Sequence, residues 1–69
     1  MTHRYIPLLR PAGFATLPSG LRWDYVEAPA MPGLCRRDDI PLSAHRYGII
    51  ATDRALTADE RDRFDLRLV

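Results

Sequence analysis

A single cysteine in 69 residues decides first what can hold this chain together. One thiol makes no intrachain disulfide. Structural zinc sites take four Cys or His ligands at short paired spacings, whereas Cys35, His3 and His45 stand far apart in sequence. Neither a metal nor a cofactor is expected. A domain this small buries only about 60% of its unfolded surface, and its core contributes about 3–5 kcal/mol net. The fold must therefore stand on apolar packing, or gain stability from a partner or a second copy, so a homodimer is one expectation. With 46% hydrophobic residues the chain reads as one small globular domain over residues 1–69.

The cations are uniform. All ten are arginine, set against nine acids, for a net charge of +1. Arginine is a flat, permanently charged fork that grips carboxylates and phosphates through paired hydrogen bonds. Abundant alanine, leucine, proline and aspartate point to GC-rich codon usage as the source of this bias. Acids and arginines interleave, which reads as a solvated mixed surface and not as the basic coat of a nucleic-acid wrapper. No apolar run approaches the ~20 residues of a membrane span. Met1 to Arg10 lacks the apolar stretch and cleavage site of a signal peptide. The expectations are no membrane partner and a cytoplasmic setting.

Along the chain, Arg4-Tyr-Ile-Pro-Leu-Leu-Arg10 is rich in strand formers, and Pro7, which cannot donate to a ladder, suggests an edge strand. Phe14-Ala-Thr-Leu17 and Leu21-Arg-Trp-Asp-Tyr-Val-Glu27 flank Pro18-Ser-Gly20 and predict a Phe14–Glu27 hairpin. Pro18 suits the first central position of a type I turn, and Gly20 the left-handed position that closes the loop. Leu21, Trp23 and Tyr25 should share one face, opposite Arg22 and Asp24. Residues 28–43 fit no period, and a connection of that length is uncommon in a compact domain. Ala44 to Thr52 returns to strand character, with a nearly all-apolar Tyr47-Gly-Ile-Ile-Ala51 that predicts a central strand. Thr57-Ala-Asp-Glu60 is a capping box that starts a helix at Thr57. Beyond it, Phe64, Leu66 and Leu68 alternate with Asp65 and Arg67, which favours a two-turn helix followed by a terminal strand. The predicted class is α+β: a small antiparallel sheet of three to five strands with one short C-terminal helix.

Candidate chemistry is thin. Cys35 beside Arg36 and Arg37 has neighbours that favour a thiolate, but a nucleophile needs a base and only His45 is on offer. A small thiol enzyme is the weakest reading. Asp38 and Asp39 are adjacent in a loop, without the facing geometry that acid–base pairs need. No catalytic residue is assigned and no enzyme is expected. Arg22, Trp23, Tyr25 and Arg46 suggest a stacking face for single-stranded nucleic acid, although an aromatic face shared with Leu21 is also what a core looks like. The best recognition element is Arg36-Arg37-Asp38-Asp39, two forks and two acids in a proline-braced loop.

The sequence thus leads to a small non-catalytic binding protein, an accessory, regulatory or inhibitory factor that docks on a larger protein or assembly. Small chains of this kind are frequent on phages and mobile elements, among them inhibitors of host defence complexes. Nucleic-acid binding through the sheet aromatics and arginines is the alternative.

Overall fold

The computed structural model describes residues 3–12, 17–18, 20–30 and 38–69. Four strands and one helix follow in chain order: β1 (His3–Pro7), β2 (Trp23–Glu27), β3 (Ile49–Thr52), α1 (Ala58–Arg63) and β4 (Leu66–Leu68). All neighbouring strands are antiparallel, in the order β2-β3-β1-β4. The fold is a small antiparallel sheet with one short helix near the C-terminus, the α+β class expected from the sequence.

Strand alternation assigns the two faces. Tyr5 and Tyr25 both register with Ile50, and His3 and Trp23 with Thr52. This face carries the core: Tyr5, Ile50, Leu56, Phe64, Leu66 and Ala12, with Leu17, Leu21, Trp23 and Tyr25 packed against it. Arg22 and Asp24 are exposed, as the alternation of that arm requires. On the opposite face Ile6, Ile49 and Ala51 are buried, flanked by exposed Arg4, Asp24 and Arg67.

The first strand corrects an expectation. It ends at Pro7 and lies inside the sheet, between β3 and β4. Pro7 is tolerated there for a geometric reason. Leu8 N–H donates to the Asp65 carbonyl at 2.9 Å and Val69 N–H to the Arg4 carbonyl at 3.3 Å. Even-numbered residues of β1 therefore bond to β4, and odd-numbered ones face β3. The nitrogen of Pro7 points past the start of β3 at Ile49, where no ladder bond is needed.

The third strand is shorter than the sequence suggests. Ile49–Thr52 is wholly buried, as a central strand should be. Residues 45–48 instead form a turn closed by Gly48 N–H on the His45 carbonyl at 3.1 Å. Gly48 has φ +76°, and a Cβ there would meet the Glu27 carbonyl oxygen at 2.5 Å and the Pro29 nitrogen at 2.9 Å. Only glycine fits both the backbone conformation and the space.

Of the expected Phe14–Glu27 hairpin, the second arm is strand β2, which among the described residues pairs with β3 alone; residues 14–16 of the first arm lie outside the described residues, and Leu17 is not in a strand. Its turn is closed by Leu21 N–H on the Pro18 carbonyl at 3.2 Å, with Gly20 at φ +78°. The left-handed glycine is as expected. Pro18 opens the turn as the accepting residue and does not occupy its first central position.

The helix starts as its capping box dictates. Thr57 Oγ1 accepts from Glu60 N–H at 3.2 Å and Glu60 Oε1 accepts from Thr57 N–H at 3.0 Å. Arg54 grips the same carboxylate with both arms of its fork, at 2.9 and 2.7 Å. Those bonds, with the Thr57 amide second, hold the Glu60 carboxyl at about 2, well below its ordinary 4.5. Leu56, just before the cap, is buried, and both its peptide groups are satisfied: Tyr5 Oη accepts its N–H at 2.7 Å, and Arg61 donates to its carbonyl at 2.9 Å. After Phe64, Asp65 takes φ +55° and turns the chain into β4. A left-handed residue at this place is how helices commonly end, and aspartate tolerates it better than most. Arg10 reaches across to the Asp65 carboxylate at 3.2 Å. The short helix and terminal strand read from the alternation of Phe64, Leu66 and Leu68 are both present.

Candidate interaction site

The long connection between β2 and β3 leaves and returns at a closed neck. Ala28 N–H donates to the Pro41 carbonyl at 2.8 Å, and Ser43 N–H donates to the Ala28 carbonyl at 2.9 Å, forming a parallel bridge between Ala28 and Leu42. Ala28 and Ser43 are buried. Ser43 Oγ accepts from His45 N–H at 3.0 Å, and the His45 carbonyl accepts from both Ala30 and Gly48. The close approach of Gly48 to Glu27 and Pro29 clamps this neck against the end of β2. The sequence shows the loop but not its neck, because a single bridge between residues so far apart has no local signature. Gly48 was the available clue: an isolated glycine in an apolar run marks a close backbone approach.

Asp38 and Asp39 are exposed in a turn on the returning limb, and Leu42 beside the neck is 72% exposed. Cys35, Arg36 and Arg37 lie outside the described residues. The neck holds the two ends of the loop together within the fold.

The residues of the nucleic-acid reading are placed differently. Trp23 and Tyr25 meet edge to face, with ring centroids 5.3 Å apart, and are half-buried against the core. Arg22 is exposed before β2, where its peptide exchanges hydrogen bonds with Asp53: Arg22 N–H donates to the carboxylate at 3.3 Å and Asp53 N–H to the Arg22 carbonyl at 3.0 Å. Arg46 is in the 45–48 turn, its guanidinium 5.6 Å from the centre of the Tyr47 ring. That turn packs at the far end of β2, so the two arginines are separated by the strand length, roughly 15 Å. His45 is half-buried within the same turn.

Among the described residues no group of three or more His, Cys, Asp or Glu side chains is placed to hold a metal ion. No helix there is long and apolar enough to cross a membrane. Comparison with known protein families, with curated proteins and with solved structures found no match for this chain.

Proposed function

We propose that this chain is a small non-catalytic binding protein of the cytoplasm, a regulator or inhibitor that docks on a larger protein or assembly through the loop between β2 and β3. The closed neck carries the reading. Ala28 and Ser43 fix the two ends of a segment whose buried positions, among the described residues, are Ala28, Pro29 and Ser43, all at those ends. Between those ends the sequence places Arg36, Arg37, Asp38 and Asp39. Arginine is enriched among the residues that dominate binding energy at interfaces, and adjacent forks and acids give a partner both signs of charge to read.

The test begins with in-cell cross-linking to identify the partner, followed by calorimetric titration of the two purified proteins. Arg36→Ala with Arg37→Ala, and separately Asp38→Ala with Asp39→Ala, should each weaken binding about tenfold or more, the scale of a hot-spot loss. Unchanged affinity in both double variants would end the loop reading. Direct nucleic-acid binding makes a different prediction: a mobility shift with single-stranded DNA or RNA at low salt that weakens steeply as salt rises.

A further inference from the structure

Two of the large apolar side chains that stand exposed among the described residues, Leu68 (57%) and Val69 (61%), lie in and just after β4, while Leu8 (49%) and Leu9 (70%) follow the interior strand β1. β4 is an edge of the sheet, which pairs with β1 on one side only. The bonds from Leu8 to Asp65 and from Val69 to Arg4 bracket the Ile6–Arg67 pair, so the peptide groups of Arg67 face β1. Those of Leu66 and Leu68 consequently face outward, two N–H and two C=O groups in ladder geometry. They make no hydrogen bond on that side among the described residues. Sheet edges are usually guarded by charge, proline or a bulge. Here the only charge is Arg67, exposed and without an ion pair among the described residues. Arg4, two residues from Ile6 and so on the same face as Arg67, is likewise exposed and unpaired.

We propose that the outer edge of β4 accepts an extended strand from a partner protein, with an acidic residue facing Arg67 and apolar residues alternating beside it. Strand addition supplies affinity through the main-chain bonds of Leu66 and Leu68, and specificity through side chains at alternate positions. The Arg67 fork, with Arg4 diagonal to it, matches a carboxylate. A second copy of this chain fits poorly. Only one antiparallel register uses both outward positions of each copy, Leu66 against Leu68 of the other, and it sets Arg67 directly opposite Arg67 in the close, non-hydrogen-bonded type of pair.

The inference is independent of the loop reading, and one experiment separates them. Two capped heptapeptides of alternating Val and Thr, with Glu or Lys at the centre, are titrated into the ¹⁵N-labelled protein. The Glu peptide should shift the Leu66 and Leu68 amides, slow their hydrogen exchange, and bind about threefold or more tighter than the Lys peptide, given the size of cross-strand charge pairs. Arg67→Glu changes only an exposed, unpaired side chain and should reverse that order. Arg36→Ala with Arg37→Ala should leave it untouched. Leu68→Pro, which deletes an outward donor while leaving the bonds to β1, should weaken both peptides. Three results would each overturn the proposal: no response at Leu66 and Leu68 at millimolar Glu peptide, equal binding of both peptides, or a peptide-free dimer by sedimentation in which those two amides are already protected.

Discussion

Tyr5→Phe isolates one buried hydrogen bond. Tyr5 is 1% exposed and Leu56 3%, and the Leu56 N–H has the Tyr5 hydroxyl as its acceptor at 2.7 Å. Phenylalanine keeps the ring and its packing, so no cavity opens. What remains is a buried donor with nothing to accept it, at about 1–3 kcal/mol. Against the ~3–5 kcal/mol a core of this size supplies, that is about half the stability. The midpoint should fall by about 4–8 °C for each kcal/mol lost. The assay is urea unfolding followed by Trp23 fluorescence and far-UV circular dichroism, with the slope expected to match the parent because the same surface is exposed. Amide exchange at Leu56 should accelerate more than at Ile50, which keeps its ladder bonds. A loss below about 0.5 kcal/mol would refute the reasoning, since it would mean that the amide finds water or another acceptor without cost.

Three further outcomes follow from the geometry. Gly48→Ala should cost about 2 kcal/mol or more, or prevent folding, because the left-handed conformation and the contact with Glu27 and Pro29 penalise it together; Gly20→Ala, with the same backbone sign but open space, should cost only about 1 kcal/mol, and both are read by thermal unfolding. Glu60 has its folded value lowered to about 2 from 4.5, so its contribution is whole above pH 4.5 and is lost as pH falls towards 2; Glu60→Gln should flatten the stability profile in that window and leave the shape above pH 5 unchanged. Thr52→Val should cost about 1 kcal/mol by chemical denaturation, the value of the part-buried bond from Thr52 Oγ1 to the Arg54 carbonyl at 2.6 Å.

What the sequence made legible is what neighbouring residues decide. The capping box is a contact across three positions, and the alternation of Phe64, Leu66 and Leu68 spans five, so both can be read directly. The face shared by Leu21, Trp23 and Tyr25 belongs to the same class. Strand order does not, because it depends on which distant segment meets β1. Pro7 misled for that reason: its missing donor signals an unpaired position, which an edge provides, but so does the end of an interior strand that outlasts its neighbour. The bond between Tyr5 and Leu56 joins residues 51 apart and leaves no trace in either segment. In the loop between β2 and β3 the charges were visible, but its neck was not, since Ala28 and Leu42 are unremarkable in composition. The free edge at β4 was likewise hidden until the order β2-β3-β1-β4 placed Leu66–Leu68 outermost.

That order also governs how the chain acquires its structure. The first strand is flanked by the third and fourth, so its pairing waits on segments far along the chain. Arg10 and Asp65, 55 residues apart, close the same seam from its other end. Every segment that contains β1 and both its partners spans His3 to Leu68, nearly the whole described fold. Long loops must close before their contacts repay the lost entropy, which slows folding relative to helical chains of equal length. A nascent or clipped chain lacking β4 would display β1 as a second open edge, with Ile6 uncovered on it. The arrangement therefore ties the order of β1 to strands that lie far along the chain from it.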